Sequence, residues 1–414
     1  MRENPPPQGS PSESQIPDPD SRLQISLLTV GPGDIYFERF GHNAIVVRDP
    51  RTAQAVAYNY GIFDFGQEDF LLNFARGRMQ YRIAVDALDD DLAMYRDEGR
   101  SIVEQHLALS PTQARALADF LEWNVHPENA LYRYDYFTAN CSTRVRDALD
   151  RALGGALHAQ SEGRSRGYTY RLDALRLMAP EPLLMLGIDL GLGPYADQRI
   201  DFWQESFVPE SLRTLVAHTA NPNADGSAPA LVDSTQVLAR GSVEEPPAAP
   251  PDLRWPFLLL GLALGGLLIW MSRKSHAAAR IPLALFAGLY EAFCGIGGCV
   301  LLFLWLGTEH RAAWRNENLL LLNPLCLALI PAAFGLARAH PRVHRATRWI
   351  AWLVVLGAAF ALFSKILPWF VQANLHWIVL FLPIHLALAL IMHHGTVASP
   401  TMTRTTIETA PTAA

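Results

Sequence analysis

Four cysteines in 414 residues are too few for a disulfide framework, and only Cys141 falls in the first half of the chain. Cys294, Cys299 and Cys326 lie inside long apolar runs, where a free thiol behaves as a small apolar side chain. The sequence has no His-Glu-x-x-His, no Cys-x-x-Cys and no glycine-rich loop ending in Lys-Ser, so neither a metal centre nor a phosphate loop is expected, and no cofactor. A net charge of -6 carries none of the basic footprint of a nucleic-acid binder. The opening "MRENPPPQGSPSESQIPDPD" also lacks the apolar stretch of an export signal. Because the charges of the later loops place the domain behind it outside the cytoplasm, the natural start is expected upstream, or the signal has been removed.

Apolar runs are abundant, but only after Trp255. They are "WPFLLLGLALGGLLIWM" (255–271), "IPLALFAGLYEAFCGIGGCVLLFLWL" (281–306), "LLLLNPLCLALIPAAFGL" (319–336), "RWIAWLVVLGAAFALFSKILPWF" (348–370) and "LHWIVLFLPIHLALALIM" (375–392). Each approaches the roughly 20 residues that cross a bilayer core. The joints "SRKSHAAAR" and "ARAHPRVHRATR" are basic without a single acid, whereas "GTEHRAAWRNEN" carries acids and "VQAN" is uncharged. Basic joints belong in the cytoplasm. Five spans then place the C-terminal tail (395–414) inside and the N-terminal domain outside, in the periplasm of an inner-membrane protein. Within the spans, Glu291, Lys365 and His385 are costly in hydrocarbon and are expected to face one another, a cavity or an interface. Gly295 and Gly298 of "CGIGGC" predict close helix packing.

The first half is a mixed, charged sequence with its own organisation. Residues 1–22 are Pro, Ser and Asp rich and are expected to be disordered. "LQISLLTV", "HNAIVVRD" (42–49) and "AVAYNYGIFDF" (55–65) read as adjacent antiparallel strands, with "SIVEQHLAL" (101–109) as another. Ser110 and Pro111 open a helix with Ala114, Leu117, Ala118 and Leu121 on one face. After Asn140, Val145, Ala148, Leu149, Ala152 and Leu153 recur at helical spacing until Gly154 and Gly155 stop them. The expectation is an α+β domain over 23–220, a linker over 221–252 rich in Pro, Ala, Gly and Ser, and an all-α polytopic membrane domain of five helices over 253–394.

Cys141 thus opens a helix directly after a capping Asn. Unpaired backbone N–H groups and the positive end of the helix dipole favour thiolate there, and the same N–H groups suit an oxyanion. A nucleophilic thiol needs an imidazole, and His42 opens a strand straight after a glycine in "RFGHNAIVV"; His126 reads as a helix-end residue. A third group should orient the imidazole. Asn59, on the neighbouring strand, is the first candidate, with Asp64, Asn43 and Asp135 as alternatives. Asn140, Tyr134, Asp135 and Arg144 are candidates for substrate or oxyanion contacts. Arg144 and Arg146 suit a phosphate headgroup, or equally pair with Asp147 and Asp150.

The blocks "ISLLTVGPGD", "FGHNAIVV", "YNYGIFDF", "NVHPENALYRYDYFTANCSTRVRD", "GIDLGLG" and "FVPESL" resemble, in this order over roughly residues 23–216, the periplasmic domain of Lnb-type lipoprotein N-acyltransferases. The resemblance implies a thiol acyltransferase with His42 and Cys141 as its dyad and a helical membrane domain behind it. The order of His on a strand and Cys later on a helix is also similar to the circularly permuted papain-like folds of lecithin retinol acyltransferase and its relatives. The implied reaction moves an acyl chain from a membrane phospholipid, through a Cys thioester, to the α-amine of a lipoprotein's diacylglyceryl-cysteine. "GYTYRLDALRL" follows the family only loosely, which leaves acceptor selection open. A membrane-anchored papain-like cell-wall peptidase or amidase, and a non-catalytic lipoprotein-binding protein, are the alternatives.

Overall fold

The computed structural model describes residues 23–63, 66–67, 69–222, 227–274, 276–339, 341–394 and 396–397, and divides into two compact units. The N-terminal segment 1–22, most of the tail and Asp64 lie outside the described residues.

The first unit is built on an antiparallel sheet of β1 (Gln24–Val30), β2 (His42–Asp49), β3 (Gln54–Ile62), β4 (Gln80–Ala87), β5 (Ile102–Leu107), β6 (Leu131–Arg133) and β7 (Val232–Ala239), in the order β6-β4-β3-β2-β1-β5-β7. The alternation of side chains along each strand supplies two apolar faces. Ile25, Leu27, Ile45, Val47, Tyr60 and Ile83 face one core, together with Leu117 and Leu121 of α2 (Pro111–Val125), Val145 and Leu149 of α3 (Cys141–Ala152) and Leu212 of α4 (Pro209–Ala217). Leu28, Val30, Ala44, Val46 and Ala57 face the other, against Leu88, Leu92 and Tyr95 of α1 (Leu88–Asp97). Ser110 caps α2 in a reciprocal box with Gln113, with Pro111 in the first turn.

The segment 221–252, expected as a linker, instead carries β7, which pairs antiparallel with β5 as the sheet's last strand. Its side chains are mostly exposed. Backbone hydrogen bonds hold it, and these leave little trace in composition.

The second unit holds five helical segments long and apolar enough to cross a membrane among the described residues. Four are continuous: α5 (Arg254–Ser272), α6 (Ala277–Gly307), α7 (Arg345–Ser364) and α8 (Leu375–His394). The remaining one, Glu317–Gly335, is broken into 3₁₀ turns Glu317–Leu320 and Pro324–Leu329 and a short helix Ile330–Gly335. Pro324 and Pro331 lack the N–H groups that a continuous helix needs there. Gly295 and Gly298 do mark a close approach: a Cβ on Gly298 would fall 2.3 Å from the Leu322 carbonyl oxygen.

Residues 71–77 and 169–198, which the sequence assigns to the first domain, belong to this second unit. Arg171 donates to Asp189 and Asp197 at 2.6 and 2.9 Å, and Asp189 accepts from Trp377 Nε1 at 2.7 Å. Glu291, Lys365 and His385 form no hydrogen bond with one another among the described residues. Lys365 pairs with Glu317 at 2.5 Å, and His385 Nε2 bonds the Leu321 carbonyl at 3.0 Å. Glu291 is buried, and one of its carboxylate oxygens has no hydrogen-bond partner among the described residues.

Candidate active site

The first residue of β2 is His42, preceded by Gly41 at φ +84°. Its parity with Ala44 and Val46 turns its ring to the α1 face, where its centroid lies 6.3 Å from that of Tyr95. Asn59, opposite Ala44 on β3, shares this face. The His42 Nε2 to Asn59 Oδ1 separation is 3.0 Å, while Asn59 Nδ2 donates to Asp91 Oδ2 at 2.7 Å and Asp86 Oδ2 at 3.3 Å. Carboxylates accept, so the amide nitrogen must face them and the amide oxygen must face the ring. His42 therefore donates through Nε2–H, which leaves Nδ1 as the basic nitrogen.

Cys141 is the first residue of α3, whose side chains pack on the opposite face of the sheet. Near the end of β3, a Cβ on Gly61 would fall 3.2 Å from the Cβ of Cys141. Gly61 also has φ +94°, which L side chains rarely adopt. The absent side chain is what lets the helix start approach the strand. A second link ties the neighbours of the two residues, as Ser142 Oγ donates to Asn43 Oδ1 at 2.8 Å.

Burial pushes the Cys141 thiol up, against the pull of the backbone amides of Asn43, Ser142 and Cys141 itself and of Arg100. The expected stabilisation of a thiolate at the helix N-terminus is therefore outweighed by desolvation. Burial likewise lowers His42 to about 4, opposed by the Asn59 hydrogen bond and reinforced by Arg100. At neutral pH the pair rests as thiol and neutral imidazole. Both side chains remain partly exposed.

The other sequence candidates occupy different stations. Asn140 caps α3: its Oδ1 accepts from Thr143 N at 2.9 Å and its Nδ2 donates to the Tyr136 and Phe207 carbonyls. Asp135 Oδ1 accepts from the amides of Phe137 and Thr138, closing the turn that leads into the helix. Asn43 is spent on Thr29 Oγ1 and Ser142. Arg146 is buried between Asp147, the Trp203 carbonyl and the Trp203 ring, a structural clamp. Arg144 lies 4.7 Å over the Tyr132 ring and lines a cavity of about 230 Å³ with Tyr60, Phe120, Asn124, Asp147 and Arg151, which includes neither Cys141 nor His42. Tyr134 stacks on Tyr81 at 4.1 Å.

Residues that sequence reasoning missed are Asp91, Asp86, Gly61 and Arg100. Asp91 sits in "LDDDL", which reads as the solvated acidic first turn of a helix. Arg100 is buried over the Tyr95 ring at 5.0 Å, and its Nε donates to the Gly31 carbonyl at 2.9 Å.

Residues 18–180 match the family model of the Lnb N-terminal periplasmic domain, and residues 253–396 that of the Lnb transmembrane domain. The chain belongs to the Lnb family. Lnb membership and the five apolar helices make it a multi-pass membrane protein of the lipoprotein-processing type, with a sheet-containing α+β domain of the periplasmic kind ahead of a helical membrane domain. Comparison with curated proteins and with solved structures returned no significant match.

Proposed function

We propose that this chain is a Cys-His thiol acyltransferase, moving an acyl chain from a membrane phospholipid to the α-amine of a lipoprotein's diacylglyceryl-cysteine. The observation that carries this reading is the His42–Asn59 hydrogen bond, with the amide oriented by Asp91 and Asp86. It supports a neutral imidazole whose Nδ1 serves Cys141 as general base. On attack, Nδ1 takes the thiol proton while sulfur bonds the ester carbonyl carbon. Backbone N–H groups of Cys141 and Asn43 steady the oxyanion. Collapse breaks the ester C–O bond, and the imidazolium returns its proton to the departing lysophospholipid oxygen. The lipoprotein amine then attacks the thioester carbon, its proton passes by way of His42 to the leaving thiolate, and an amide is formed.

Asn59 is the orienting residue in this scheme; Asn140 and Asp135 hold the chain around the thiol rather than the substrate. Tyr134 borders the acyl-binding side, and Arg144 remains a candidate for a headgroup phosphate. The catalytic unit acts in the periplasm, the membrane unit sits in the inner membrane, and the C-terminal end faces the cytoplasm. Covalent attachment to a membrane unit concentrates the thiol against substrates that never leave the bilayer. A wall peptidase would use the same pair, but five spans and Lnb membership favour lipid substrates.

The test is mass spectrometry of a synthetic diacylated lipopeptide incubated with the purified protein and phospholipid vesicles. One acyl chain gained on the α-amine, lysophospholipid released, and inactivity of Cys141→Ser and His42→Ala variants are the expected results. Lysophospholipid without acylated peptide from the wild type would overturn the acceptor, and neither product would overturn the reaction.

A further inference from the structure

Between β1 and β2 the loop 31–41 presents Ile35, Tyr36 and Phe37 in succession, each about half exposed. Exposed apolar area costs about 25 cal/mol per Å² relative to burial, so three consecutive outward apolar residues on a well-fastened loop need an explanation. The loop is fastened. Gly33 N and Gly41 N both bond the Glu38 carbonyl, and the buried Arg39 donates to the Gly33 and Glu244 carbonyls at 3.2 and 2.9 Å. Arg39 is turned inward for this task, and Ile35, Tyr36 and Phe37 stand outermost beside the exposed Asp34.

From there a row of rings runs inward. Tyr36 meets Phe37 at 5.2 Å between centroids, Phe37 meets Phe63 at 6.1 Å, Phe63 meets Tyr81 at 5.2 Å and Tyr81 stacks on Tyr134 at 4.1 Å. The inner end lies by the thiol: burial first, and then the nearby Cys141, push the Tyr134 phenol up, and Tyr81, Tyr134 and Cys141 pack against the same core. Phe63 lies two residues beyond Gly61, which touches Cys141. The row thus starts at solvent and ends beside the nucleophile, and none of its members is charged.

We infer that this row seats one acyl chain of the donor phospholipid, which enters past Ile35, Tyr36 and Phe37 and lies along Phe63, Tyr81 and Tyr134 with its ester carbonyl at Cys141. Aromatic faces suit a methylene chain, and phenols suit the polar boundary where the ester sits. The inference rests on the acyltransferase reading of the same site.

The experiment compares two acyl donors on the full-length protein: soluble p-nitrophenyl butyrate, and vesicles of palmitoyl-oleoyl phosphatidylethanolamine and phosphatidylglycerol. The rate of mass gain at Cys141 is read for each. In the Ile35→Ser/Tyr36→Ser/Phe37→Ser variant and in Phe63→Ser, the ratio of long-chain to short-chain acylation should fall at least about tenfold, the equivalent of losing about 1.4 kcal/mol of chain contact. Phe37→Trp, which keeps the apolar face, should retain the wild-type ratio within about twofold. An unchanged ratio in the serine variants, or an equal fall in Phe37→Trp, overturns the acyl seat while leaving the thiol chemistry standing. Wild-type Cys141 acylated by neither donor overturns the chemistry itself and the seat with it.

Discussion

Both compact units bury charged and polar side chains, but they leave them in different states. In the membrane unit two ion-pair networks close on themselves: Arg171 is clasped by Asp189 and Asp197, Asp189 also accepts from Trp377, and Lys365 is held by Glu317 and the Gln372 carbonyl. In the sheet unit the chain Asp91–Asn59–His42 is satisfied at its buried end and stops at a mostly buried imidazole with Nδ1 uncommitted by that chain. A closed network fixes a shape. An open-ended one fixes a shape and also holds a basic nitrogen ready for a proton, which is what chemistry requires.

The contrast between the units is most sharply broken at the open end. Cys141→Ala should lower acyl transfer by at least about 10³-fold with the melting temperature little changed, since a small, partly exposed side chain is lost and the Asn140 cap remains. A comparable rate would mean that the thiol is structural. The converse experiment addresses the closed network. Arg171→Leu leaves Asp189 and Asp197 buried without their shared cation, so it should cost about 3–5 kcal/mol of stability in thermal denaturation while Cys141 still acylates at its usual rate in the folded fraction. A selective loss of rate would erase the distinction between the units. Gly61→Ala comes next in size. Its Cβ would press on Cys141 from a backbone conformation unfavourable to alanine, and a displacement approaching 1 Å should cost about 10²-fold in acylation.

Those positions also divide what sequence reveals from what it hides. β2 and the start of α3 are legible because their signals are local: β-branched alternation after Gly41, and an Asn cap ahead of a 3.6-residue apolar period. His42 and Cys141 stand at those two starts. Asp91, Arg100 and Gly61 act through contacts across the sheet, and their neighbours in sequence suggest only a solvated helix turn, a loop and a strand residue. β7 is hidden because its middle, Asp233 to Gln236, is polar and exposed, so a Pro- and Ala-rich surrounding sequence reads as tether. The recruitment of residues 169–198 to the membrane unit depends on Arg171, Asp189 and Asp197, whose partners are unreadable until the chain is folded. The apolar content of 319–336 announces a span, but its prolines are needed to recognise that the helix is broken.

The smallest effect is the most specific to the open-ended network. An ordinary imidazole near 6.5 would be only about one-tenth neutral at pH 5.5. Burial lowers His42 to about 4, so it stays almost wholly neutral there. The acid limb of the single-turnover acylation rate should therefore fall through about pH 4, and the rate at pH 5.5 should be close to that at pH 7 rather than tenfold lower. Stability takes a related course with its own sign. Because the folded pKa is depressed below the unfolded one, the unfolded chain takes up the proton first, and this residue's contribution is full above about pH 6.5 and is lost as pH falls toward 4. Circular dichroism at each pH separates unfolding from titration of the folded enzyme. Asn59→Ala removes the hydrogen bond that opposes the shift, so the limb should move still lower while the maximal rate drops through loss of the ring's orientation. A limb that stays near 6.5 in the folded protein would mean that His42 is solvated like a surface imidazole, and the contrast between a closed and an open network would lose its chemical content.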